Sequence, residues 1–85
     1  KIRLAVKVLK GGWLQVRVDG NVVVESTLNA GTVKRWEADN EIVISGRMIH
    51  NLEFELNGKL LGTLGRKDRN AHRVIVTKRG LSVSE

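Results

Sequence analysis

Two histidines, His50 and His72, are the only imidazoles in the chain. Neither has the His-x-His spacing or the clustered carboxylates that hold a transition metal, so no metal site is expected. His72 abuts Arg73 at the start of a strand-like run and reads as exposed, while His50 falls in the irregular stretch 46–51. The serines Ser26, Ser45, Ser82 and Ser84 all lie outside any Gly-x-Ser-x-Gly elbow, and no base is placed beside them. Glu53 and Glu55 are spaced i, i+2, which puts both carboxylates on one face of a strand. A general acid–base pair has this spacing, but so does an open solvated strand face. The run GKLLGTLG lacks the Gly-Lys-Ser/Thr end of a phosphate loop. There is no cysteine, which removes thiolate chemistry, thiolate metal sites and disulfides together. The residues therefore point to a protein that is not an enzyme and that holds no cofactor.

Charge is the other source of chemistry. The net charge of +6 is unevenly spread: residues 1–17 and 66–79 are basic, and the stretch between them is mildly acidic. Lys7, Arg17, Arg66, Lys67, Arg69, Arg73 and Arg79 are the candidate partner-binding residues, chosen by this clustering. If the end strands lie side by side, they make one positive face that attracts polyanions such as nucleic acid, anionic lipid or anionic wall polymer. A solvated surface that serves only solubility shows the same pattern. Nucleic-acid modules stack bases on exposed aromatics. Here the aromatics are only Trp13, Trp36 and Phe54, scattered along the chain, with Trp36 after Lys34-Arg35 the nearest to a platform. A basic nucleic-acid-binding β-barrel is kept as the alternative function, though nucleic acid is disfavoured as a partner.

The elements that must position these groups are strands. Valine, isoleucine and leucine dominate the apolar residues, there is no proline, and no sustained helical period is present. In the opening run KIRLAVKV, Ile2, Leu4, Val6 and Val8 alternate with polar neighbours, as in a half-buried strand. Leu14, Val16 and Val18 repeat the pattern, then Asp19-Gly20 turns the chain back through Val22–Val24. Asp-Gly and Asn57-Gly58 suit two-residue hairpins, whose central residues both take positive φ. VKRWEA, Glu41–Ser45, Leu52–Leu56, the return from Lys59 and HRVIVTK complete the set. Residues 80–85 read as a frayed tail or one more short edge. Seven or eight short strands joined by Gly, Asn and Asp turns predict an all-β antiparallel sandwich or barrel, in a single domain covering 1–85. No run approaches the roughly 18 apolar residues of a membrane span. The chain opens directly in a strand, with no signal-peptide pattern, as a domain excised from a longer protein would.

The order of elements carries a resemblance. Trp13-Leu-x-Val16, Asp19-Gly20, Thr27-Leu28-x-Ala30-Gly31, Trp36, Asn57-Gly58 and Leu61-Gly62 follow one another as in W-x-x-V…DG…L-x-A-G…W…NG…LG. This resembles the C-terminal domain of the bacterial cell-shape protein RodZ, over about residues 2–79. A departure lies at Gly46–His50, which is bulkier and more apolar than the Gly-Asn-Ala-like loop of the family. The resemblance implies a small antiparallel β-sandwich of about seven short strands. It also implies a parent with a cytoplasmic helix-turn-helix domain, one membrane helix, and this domain on the outer face of the cytoplasmic membrane. The implied function is a non-catalytic binding or scaffold module of rod elongation. Its implied partners are cell-elongation or wall-synthesis proteins, or anionic wall polymer.

Trp13 is the residue on which these readings diverge. Counting by twos, it falls with Gln15, Arg17 and Asp19 on the polar side of its strand. Its place in the family pattern instead suggests packing. A bulge at Gly11-Gly12 would turn it inward without moving Leu14, Val16 and Val18. Core or sheet-edge packing is the expectation, which would make Trp13→Ala cost about 3–5 kcal/mol.

Overall fold

The computed structural model describes residues 1–46, 49–63 and 73–84. Nine strands form two antiparallel sheets, in place of about seven. They are β1 (Ile2–Val8), β2 (Gly12–Val18), β3 (Asn21–Leu28), β4 (Val33–Ala38), β5 (Glu41–Ser45), β6 (Leu52–Leu56), β7 (Lys59–Gly62), β8 (Arg73–Thr77) and β9 (Gly80–Ser84). One sheet has the order β4-β1-β6-β7 and the other β3-β2-β5-β8-β9. This is the two-sheet alternative of the sequence reading. The extra edge strand β9 is what the residues 80–84 form: Gly80 pairs with Thr77 and Ser84 with Arg73.

Alternation explains the core. Ile2, Leu4, Val6 and Val8 from β1 face Leu14 and Val16 of β2, Ile42 and Ile44 of β5, and Val74 and Val76 of β8. All are fully buried, and Phe54 is the largest side chain among them. No polar or charged side chain is buried among the described residues. The side-chain period of 2 makes each strand present one apolar and one polar face, and pairing in register keeps the apolar faces together.

Both Asx-Gly dipeptides form the expected tight hairpins. Asp19 and Gly20 have φ of 49° and 85°, and Asn57 and Gly58 of 51° and 83°. Their side chains also reach beyond the turn. Asn57 Oδ1 accepts a hydrogen bond from the Arg3 amide at 2.8 Å, and its own amide donates to the Arg3 carbonyl at 2.7 Å. The Asp19 carboxylate accepts from the amides of Asp39, Asn40 and Glu41 at 2.8, 2.7 and 3.0 Å. Asp39-Asn40 is where the chain crosses from β4 in one sheet to β5 in the other. One carboxylate thus clasps the two sheets at one end.

This clasp has a pH signature. The Asp39, Glu41 and Asn40 amides, in that order of effect, hold the Asp19 carboxyl below its usual value. A carboxylate favoured by the fold stabilises it above its unfolded-state pKa, and that contribution is lost as pH falls through the lowered folded value. Asp19→Asn is expected to melt earlier than the parent near neutral pH. The difference should shrink to nothing on acidification, read from melting temperatures across the acid range. A constant difference at all pH values would place the effect elsewhere.

Candidate binding surface

Trp13 stands on the outer face of the five-stranded sheet and is 47% exposed. The inward packing expected from the sequence is therefore wrong. From Gly12↔Leu28 to Val16↔Val24 the β2–β3 register runs without a slip, so burying Leu14 forces Trp13 outward. The bulge exists, but between Val16 and Arg17, where Val23 is the extra residue of β3. Simple counting by twos had the facing right. Large aromatics are usually buried, and that tendency misleads here.

Around Trp13 the face is built in rows. Trp13 lies opposite Thr27, and Gln15 lies between Glu25 and Ser45. Gln15 Nε2 contacts the Glu25 carboxylate at 3.5 Å. Arg17 lies between Val22 and Val43, and Val43 is followed by Ile75 on β8. Arg73, the first residue of β8, lies opposite Ser45. Neither Arg17 nor Arg73 has an acidic residue directly opposite on a neighbouring strand. The face therefore combines one large aromatic, an aliphatic row and two arginines.

Lys7 is elsewhere. It projects from the outer face of the four-stranded sheet, directly opposite Glu53 and Val33. Arg3 lies opposite Glu37, and Ala5 between Arg35 and Glu55. Ala5, Arg35 and Glu55 line an open groove. Signs alternate on this face, so it is not a positive surface. The end strands β1 and β8 belong to different sheets, and the condition for a single positive face is not met. Arg79 sits in the β8–β9 turn, where its amide donates to Thr77 Oγ1 at 3.2 Å. Arg66, Lys67, Arg69 and His72 lie outside the described residues. Lys1 and Glu37 make an exposed ion pair at 3.5 Å, of a kind that contributes little.

Among the described residues Glu53 and Glu55 line an open groove with Lys7 and Arg35, not an enclosed acid–base site. Glu53 and Glu55 sit side by side along one outer strand face, and no group of three or more His, Cys, Asp or Glu is arranged for a metal among the described residues. Trp36 is half-buried against the core and is no platform.

The fold is that of a small two-sheet antiparallel β-sandwich domain. The family model described as the RodZ C-terminal domain matches residues 6–75. The chain belongs to the RodZ C-terminal domain family. Comparison with curated proteins and with solved structures gave no match.

Proposed function

We propose that this domain is a non-catalytic, extracytoplasmic binding or scaffold module of a bacterial cell-shape protein. Membership of the RodZ C-terminal domain family supports the cell-shape role. The observation that carries the binding role is Trp13, held at 47% exposure beside an aliphatic row and two arginines. An indole offers a large contact area with few rotatable bonds, which is why tryptophan is enriched at the energetic centres of interfaces. Leaving it in water has no packing benefit for the domain itself. Wall-synthesis or elongation proteins are the partners, with Arg17 and Arg73 supplying charge complementarity.

Trp13→Ala is expected to cost about 1 kcal/mol, the scale of a cross-strand contact on a half-exposed sheet face, and to leave the domain folded. The same variant should lose capture of wall-synthesis proteins from detergent-solubilised membranes. Equal capture by both forms would overturn the assignment of this face. Salt dependence separates the polyanion alternative. Phosphate-backbone binding weakens steeply with ionic strength, whereas an aromatic-centred protein contact does not.

A further inference from the structure

We infer that the free edge of β3 accepts an added strand from an extended, acidic segment of a partner protein. The inference rests on the module reading for the existence of a protein partner and specifies how that partner docks.

Among the described residues four strands have a free edge, β3, β4, β7 and β9. An unpaired edge presents alternate backbone N–H and C=O groups, and proteins normally guard it with lysine, proline or shortness. Strand β4 carries Lys34 and Arg35, and β7 is four residues long and begins with Lys59. Strand β9 has five residues. Strand β3 has eight, the most of any strand, and contains no lysine, arginine or proline. Its backbone makes no hydrogen bond outside the β2 ladder among the described residues. After the bulge at Val23 it runs in regular register over Val24–Leu28. That five-residue run, whose one charged residue is Glu25, is the template.

The neighbourhood selects the occupant. On β4, Lys34 lies opposite buried Val6, on the row that faces between the sheets, yet it is exposed. Among the described residues its ammonium has no hydrogen-bond or ion-pair partner. Strands β4 and β3 are the edges on the same side of the sandwich, with β2 contacting β4. A strand added to β3 sends alternate side chains toward this opening, where a carboxylate meets Lys34. The other alternate side chains fall on the outer face next to Glu25 and Thr27, with Trp13 one strand behind. There a carboxylate is repelled by Glu25 and an apolar side chain is accepted. The matching ligand is an extended segment that alternates acidic with β-branched or aromatic residues. A second copy fits worse. The inward row of β3, Val24, Ser26 and Leu28, offers no acid to Lys34. Two rigid sandwiches meeting along five residues would also fall short of the roughly 1,000 Å² of a stable interface.

The test titrates the 85-residue chain with an acetylated, amidated peptide of alternating Glu and Val, about eight residues long to span the edge. Anisotropy of a labelled peptide reads affinity, and amide hydrogen exchange reads the backbone. Saturable binding that slows exchange within Val24–Leu28 is expected. Ser26→Glu sets a like charge beside the inward carboxylates of the peptide on an exposed site and should weaken binding about fivefold or more with the melting temperature kept. Lys34→Glu should weaken the Glu-Val peptide about fivefold or more and improve a Lys-Val peptide. No binding, binding without protection of Val24–Leu28, or binding unchanged by Ser26→Glu would overturn the inference. So would a dimer that Ser26→Glu disperses, since the occupant would then be a second copy. Wall-protein capture unaffected by Ser26→Glu would leave the module reading intact and strand addition refuted. Peptide binding with no wall protein captured would do the reverse.

Discussion

Phe54→Ala is expected to remove a large share of the stability of the domain. Phe54 is 1% exposed and is the largest of the fully buried side chains. It sits mid-strand in β6, opposite Val6 of β1 on one side and Gly62 of β7 on the other. Truncating a buried phenylalanine costs about 3–5 kcal/mol, from lost transfer free energy plus the cavity left behind. A chain of this size has a total of about 4–13 kcal/mol, at 0.05–0.15 kcal/mol per residue. The domain has no disulfide to compensate. In a thermal melt the midpoint should fall by at least about 12 °C. A fall of only a few degrees would mean that the two sheets close over the cavity. Set beside Trp13→Ala, the comparison is sharp: the buried aromatic holds the sheets together, and the half-exposed one contributes far less to stability.

Gly46→Ala is the second substitution with a large expected effect. A methyl group at this position would lie 2.7 Å from the Trp13 carbonyl oxygen and 3.0 Å from Leu14 Cδ2. The first neighbour is backbone, so it moves only if the start of β2 moves with it. Leu14 is fully buried and has no free direction in which to retreat. Overpacking of this kind costs about 1–3 kcal/mol. Because the displaced carbonyl belongs to Trp13, the variant should also change Trp13 fluorescence in the folded state. It should weaken partner capture by more than its stability loss explains. Loss of stability with an unchanged indole environment would show that the strain is absorbed at 46–51 instead. Close approach to β2 requires the missing Cβ at Gly46.

Local rules made most of the strands legible. Alternation in Ile2–Val8 and Leu52–Leu56, and the Asp19-Gly20 and Asn57-Gly58 turns, depend on residues a few positions apart. What the sequence did not reveal is non-local. Nothing in the spacing says that β1 joins one sheet and β8 the other, so the charge runs at the two ends could not be placed relative to each other. The reach of the Asp19 carboxylate to residues 39–41 is likewise a contact across some 20 positions. Trp13 shows a different limit. Its alternation was correct, and the expectation of burial came from residue type, which does not determine facing when the adjacent Leu14 is already committed to the core. The lack of lysine, arginine and proline in β3 was open to inspection in its composition, but its position at an edge was not.

The pairing of β1 has a mechanical consequence. β1 lies between β4 and β6, antiparallel to both, with six register pairs to one and five to the other. Inter-strand hydrogen bonds run perpendicular to the strands. Tension applied at residue 2 along the strand therefore loads both ladders in shear, with many bonds strained at once, instead of opening them one by one. The β9 end is the opposite case, because β9 is held by β8 alone. Pulled outward from residue 84, it peels. A domain built this way bears load through its first strand and yields at its last.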